Sequence, residues 1–265
     1  MEHNLIVERS EGVVTVFLNR PAKMNALSAG LMEDLRALWL ELAADADVRC
    51  VVVTGSGRGF CSGADVDLLA SDRSDENRTV EEELAFLPGD RLDVPVIVAV
   101  NGVCAGGGLH FVADADIAIA STSATFLDPH VNVGQVTALE PLTLLPHMRP
   151  DALRRMVLLG SAERLDAAAA ERAGLVSEVV PPEELLDRAH ALAAMVVKGS
   201  PTAIAVSRTI LRTAQADGLS VHLENGWNVL RAHWNHPDSD DGPRAWSERR
   251  EPRWEQRTID AEDSK

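Results

Sequence analysis

Four short runs rich in β-branched residues, GVVTVFLN (12–19), RCVVVTG (49–55), VPVIVAVNG (94–102) and DIAIAS (116–121), carry Gly, Asn and Pro at their borders. Runs of this length and composition read as buried strands. Between the first two lies SAGLMEDLRALWLELAADAD, where Leu31, Leu35, Leu38 and Leu42 recur at helical spacing behind Ser28, a residue suited to an N-cap. Strands that alternate with helices need crossover connections, so an α/β layered fold is expected.

From about Asp151 the pattern turns helical, with DALRRMVLLG, AAAAERAG, EELLDRAHALAAMVV and TAIAVSRTILRTA in succession. Leu185, Ala189, Leu192 and Val196 line one face of the third. The stretch from Gly218 onward is polar and carries Trp227, Trp234, Trp246 and Trp254. Tryptophans spaced among polar residues mark a surface that packs on something. The division expected is a core over 1–198 and a helical oligomerisation region over 199–265, the alternative being a tail folded back on its own core.

With 265 residues, 46% of them hydrophobic, the chain can bury a large core. Its 25 basic and 41 acidic residues give a net charge of −16, which repels nucleic acid and anionic membrane surfaces, so neither is an expected partner. An anionic ligand would need local donors. Cys50, Cys61 and Cys104 are scattered and form no CxxC pair, as suits a reduced compartment. The acidic opening MEHNLIVERSEG does not read as a signal peptide, and no run is long enough to span a bilayer. A cytoplasmic location is the expectation.

Two segments point to chemistry. GSGRGFCSGADVDLL (55–69) is a glycine-rich turn after a strand, leading toward a possible short helix, and NGVCAGGGLHFVADADIAIA (101–120) places three glycines before an apolar helical run. Free N–H groups at a helix start favour negative charge, and two such starts facing each other would form an oxyanion hole. Neither segment is a phosphate loop, because the Lys-Ser/Thr is absent, and the GGG lacks dinucleotide-binding spacing.

The chain resembles the crotonase (enoyl-CoA hydratase/isomerase) superfamily over roughly residues 5–215, through LNRPAKMNALS, GSGRGFCSGADV, VPVIVAVNGVCAGGGL, DADIAIAS, ATFLDPHVNVG and ERAGLVSEVVP in the family's order. The resemblance implies a spiral of stacked β-β-α units whose C-terminal helices build a homotrimer, often paired into a hexamer. It implies a coenzyme A thioester as substrate and no permanently bound cofactor. The N–H groups of Ala64 and Gly107 take the oxyanion positions, and Lys23, Ala64 and Asp65 lie where the family binds the CoA thioester.

The chain departs from the family at its acid/base positions. Hydratases of the family place glutamates three residues after the middle glycine and directly after the proline of their P-E motif; here these positions hold His110 and His130. The PGxGG stretch that should follow is altered to GQVTALEP, which introduces Glu140 as a further acid/base candidate. A residue three after Gly107 returns to nearly the same helix face, and histidine works as an acid or base near neutral pH without a large pKa shift. The reading is an acyl-CoA-processing enzyme with His110 and His130 as its acid/base pair. The alternatives are a catalytically silent acyl-CoA-binding or assembly subunit and a crotonase-fold hydrolase or decarboxylase. Two histidines 20 residues apart have no local ligand spacing, so no metal is expected. Ser62 as a nucleophile lacks a GxSxG elbow.

Asp116 matches the family's structural aspartate, while Asp114 beside it needs a partner from His110 or an arginine. The acidic stretch 70–93 reads as solvated with a limited share in the core, Leu84, Phe86 and Leu87 serving as buried anchors or touching the acyl group.

Overall fold

The computed structural model describes residues 3–65, 79–216 and 219–254. The expected strands form and lie side by side. β1 (Leu5–Ser10), β2 (Val13–Leu18), β3 (Cys50–Gly55), β5 (Val96–Val100), β7 (Ile117–Ser121) and β10 (Glu178–Val180) make one sheet in that order, parallel except for the β1–β2 hairpin. β4 (Gly59–Cys61), β6 (Val103–Ala105), β8 (Thr125–Leu127) and β9 (Leu165–Asp166) make a second, smaller sheet. Each long strand β3, β5 and β7 is thus followed by a short one in the other sheet, which is the spiral of β-β units that the resemblance implied.

The large sheet is apolar on both faces because both are covered. Along β3, Val51 and Val53 join the main core with α1 (Ala29–Ala43), whereas Cys50 and Val52 join a second cluster with Leu185, Ala189 and Ala193 of α7 (Leu185–Val197). The period of two splits Val96, Val98 and Val100 of β5 from Ile97 and Ala99 in the same way. Ser28 caps α1 by accepting from the Leu31 N–H at 3.2 Å, and Leu31, Leu35, Leu38 and Leu42 are buried as their spacing predicts. Leu192 and Val196 pack beside the α7 face, partly buried.

Of the acidic stretch 70–93, residues 70–78 lie outside the described residues. The rest contributes more to the core than expected. After α2 (Val80–Glu83), Phe86 and Leu87 are buried in the main core, and Trp39 Nε1 donates to Phe86 O at 2.7 Å. Glu81, Glu82 and Glu83 directly precede the apolar run that holds Leu84, Phe86 and Leu87.

α3 (Leu109–Asp114), α4 (Leu139–Leu144), α5 (Pro150–Leu159) and α6 (Ala167–Ala173) follow the strands, and α8 (Pro201–Ala216), α9 (Leu219–His233) and α10 (Pro237–Glu248) end the described chain. α9 does not stand apart: Trp227 is 1% exposed against Leu139 and Val80, with Trp234 edge-on to it at 5.4 Å. Trp246 and Trp254 stay exposed, as do Val206, Ile210 and Leu211 on α8. Among the described residues no single helix is long and apolar enough to cross a membrane.

Candidate active site

The first two motifs are bolted together. Arg20 pairs with Asp65 at 2.8 Å and also donates to Ala26 O, while fully buried Asn25, in the left-handed region at φ 56°, donates to Ser56 O and Gly59 O at 3.0 and 2.8 Å. Leu27 then bridges Ala64 in parallel: its N–H donates to Gly63 O and it accepts from the Asp65 N–H, both at 2.8 Å. Peptide groups alternate in direction along an extended segment, so the Ala64 N–H faces away from Leu27. It is this bridge that orients the group.

The glycines set the approach of the second motif. Gly63 has φ 90°, and a Cβ there would lie 2.9 Å from Ala105 O and 3.3 Å from Gly107 N. A Cβ on Gly107 would lie 3.0 Å from Leu27 Cδ1 and 4.0 Å from Ala64 N. The backbone nitrogens of Ala64 and Gly107 therefore border one small space, which only glycine at 63 leaves open. A Cβ on Gly106 (φ 47°) would meet His130 Cε1 at 3.4 Å, so the His130 ring borders the same region.

The other wall is polar. His110, in the first turn of α3, is 4% exposed, with Nε2 3.3 Å from Glu140 Oε1 and Nδ1 3.4 Å from Thr143 Oγ1. His130 opens a single 3₁₀ turn (His130–Val133) after β8, and its Nε2 lies 3.6 Å from the same Glu140 Oε1. Its Nδ1 is 2.5 Å from Oδ1 of Asp128, whose Oδ2 accepts from Thr137 Oγ1 at 2.6 Å. Burial alone would raise the pKa of Glu140; the charges of His130 and His110 outweigh it and hold the carboxyl well below its ordinary 4.5. The three candidates His110, His130 and Glu140, up to 30 residues apart in the chain, converge on one carboxylate oxygen.

The C-terminal helices hold this wall in place. A Cβ on Gly226 of α9 would lie 3.0 Å from Leu142 Cδ1 on α4, the helix that carries Glu140. A Cβ on Gly242 of α10 would run into Val133 O of the His130 turn. His233 Nε2 lies 2.8 Å from Gly134 O, and Gln135 Nε2 donates to Ser239 O at 3.1 Å.

The remaining sequence candidates fall as follows. Lys23 is exposed at the end of a 3₁₀ turn, its carbonyl accepting from the Ser62 hydroxyl at 3.4 Å. That hydroxyl thus turns to backbone, not to an imidazole. Asp65 is buried with its carboxylate on Arg20, which gives it a structural role. The possible helix after Asp65 lies outside the described residues. Asp116 accepts from the Val96 N–H and pairs with Arg208, and Asp114 pairs with Arg212 at 2.7 Å, so the arginine and not His110 is its partner. Burial pushes the Cys50 and Cys61 thiols up to about 12, which removes them as nucleophiles at neutral pH. A cavity of about 280 Å³ borders His110 and is lined also by Leu84, Leu87, Asp114, Thr143, His147 and Arg212. Leu84 and Leu87 reach it, whereas Phe86 is buried with its ring edge-on to His110 at 6.3 Å. Asp128, Thr137 and Thr143 were not among the sequence candidates; the only local signal was an aspartate two residues before His130.

The profile of the enoyl-CoA hydratase/isomerase family matches residues 8–257. The (E)-benzylidenesuccinyl-CoA hydratase of Thauera aromatica is 33% identical over 93% of this chain and 96% of its own length. The carnitinyl-CoA dehydratase of Escherichia coli O157:H7 is 31% identical over 97% of this chain and 100% of its own. Among solved structures, an enoyl-CoA hydratase/isomerase from Pseudoalteromonas atlantica T6c superposes with a TM-score of 0.86 at 25% identity, over 96% of this chain and 100% of that one. A carnitinyl-CoA hydratase from Mycobacterium avium gives 0.84 at 27% identity, over 97% and 100%. With its spiral of β-β-α units and its motifs in register, this chain belongs to the enoyl-CoA hydratase/isomerase family and acts on an acyl-CoA thioester.

Proposed function

We propose that the protein adds water to, or removes it from, the α,β double bond of an acyl-CoA thioester, with two histidines and a shared glutamate in place of the two glutamates of the family's hydratases. The observation that carries this reading is Glu140 Oε1, 3.3 Å from His110 Nε2 and 3.6 Å from His130 Nε2, with His130 Cε1 3.4 Å from where a Cβ on Gly106 would stand. The thioester oxygen accepts from the N–H groups of Ala64 and Gly107, and Lys23 stands at the CoA side. In the hydration direction a water O–H bond breaks. Its proton goes to His130 Nε2, its oxygen bonds Cβ, and the π pair moves through Cα onto the thioester oxygen as an enolate. Protonated His110 then delivers a proton to Cα, and Glu140 passes the proton gained by His130 on to His110, which resets the site. Preorganised donors in a buried site stabilise the enolate, each worth about 10²–10³ in rate.

The hydratase and dehydratase relatives support this direction of chemistry. The exposed Val206, Ile210 and Leu211 of α8 support assembly into a homotrimer or a hexamer, to be read by light scattering on the wild type and Ile210→Glu. The function is tested by following 2-enoyl-CoA and 3-hydroxyacyl-CoA thioesters of varied acyl length with the wild type and His130→Ala. Turnover that depends on His130 supports the reading. Acyl-CoA binding without turnover of any thioester overturns it in favour of a binding or assembly subunit, and release of free CoA overturns it in favour of a hydrolase.

A further inference from the structure

We propose that Asp128 is a positioning residue that holds His130 in its Nδ1–H tautomer and so makes Nε2 the proton-transfer atom. This rests on the acid/base role of His130 given above. Asp128 directly follows β8 and is 1% exposed. Proline at 129 confines Asp128 to extended backbone, and its side chain closes an Asx turn, Oδ1 accepting the His130 N–H at 3.2 Å. The same oxygen lies 2.5 Å from His130 Nδ1, and Oδ2 takes the Thr137 hydroxyl at 2.6 Å. Both ring nitrogens face a carboxylate oxygen, but Nδ1 lies 2.5 Å from Asp128 Oδ1 and Nε2 3.6 Å from Glu140 Oε1, so a neutral ring keeps its hydrogen on the short Nδ1 contact. Nε2 is then the nitrogen that gains and loses a proton, on the side of Glu140, with Cε1 toward Gly106.

The consequence is chemical. When Nε2 gains a proton, the imidazolium is flanked by Asp128 on one nitrogen and Glu140 on the other, and when it gives the proton up, the ring returns to the same tautomer without turning over. Thr137 prevents the carboxylate from rotating away. It also stands 3.5 Å from Glu140 Oε2, which ties the two carboxylates of the site to one hydroxyl.

The test is a long-range ¹H–¹⁵N correlation spectrum of the full chain labelled at histidine, recorded where His130 is neutral and assigned by the signals lost in His130→Gln. The wild type should show the Nδ1–H form. Asp128→Asn should shift His130 toward the Nε2–H form and lower kcat by about 10²-fold or more with KM little changed. Thr137→Val, which keeps the carboxylate, should retain the Nδ1–H form with a smaller loss of kcat. An Nε2–H tautomer in the wild type overturns the proposal, as does an unchanged tautomer in Asp128→Asn. The spectrum is read without substrate: if His130→Gln turns over as the wild type does, the acid/base reading falls while the assignment of Asp128 stands.

Discussion

The two walls of the site are built in opposite ways. The wall of Ala64 and Gly107 is backbone, fixed by one β-bridge to Leu27 and by glycines at 63 and 106 whose positive φ lets two turns approach within van der Waals contact. The wall of His110, His130 and Glu140 is side chain, assembled from α3, a 3₁₀ turn and α4, and held from behind by α9 and α10. The backbone wall is held by main-chain pairing between motifs about 40 residues apart and needs only glycine at the close approaches. A side-chain wall depends on distant packing.

The largest effect should come from the second wall. His130→Ala removes a proton-transfer group and should lower kcat by about 10²–10⁴-fold, with a similar loss for His110→Ala, measured by steady-state turnover of an accepted thioester. Retained activity in both would move the chemistry away from the histidines. Gly63→Ala attacks the first wall: its Cβ would press on Ala105 O and intrude beside Gly107 N at a φ that disfavours alanine. It should cost about 10²–10³ in kcat/KM and about 1–3 kcal/mol of stability, read by kinetics and a thermal melt.

Gly242→Ala separates packing from chemistry. It touches no candidate reacting group, yet its methyl must push α10 off the Val133 carbonyl and so disturb the His130 turn. A fall in kcat of about tenfold with a stability loss of about 1–3 kcal/mol is expected, and unchanged kcat would show that α10 does not hold this wall. The smallest effect is a pH dependence. Glu140 sits below its ordinary 4.5 in the folded chain, so its ionised form stabilises the fold above that pH and the contribution is lost as pH falls below 4.5. Wild-type stability should therefore drop relative to Glu140→Gln by on the order of 1 kcal/mol per pH unit there, measured by urea unfolding. Parallel curves would mean that the two imidazoles do not stabilise the carboxylate.

Much of the fold was legible because its signals are local. Strand runs, the Ser28 cap and the leucine face of α1 each sit within one segment, and all formed where expected. Phe86 and Leu87 are buried as the anchor reading expected, while the acidic neighbours led to an underestimate of how far their segment joins the main core beside Trp39. The C-terminal region read as a surface for packing, but its first tryptophan, Trp227, is buried against Leu139 of its own chain.

By itself the sequence determined the alternation of strands and helices, the glycines that bring two backbone turns together, and the presence of His110 and His130 after the third and fourth of its strand runs. Only the tertiary structure decided that both imidazoles face Glu140, that Asp128 and Thr137 hold one of them, and that Arg20 and Arg212 occupy Asp65 and Asp114. The physical reason is range. Backbone conformation follows from neighbours a few residues away, whereas the direction of a buried charged side chain is set by whichever partner the rest of the chain brings within hydrogen-bond reach.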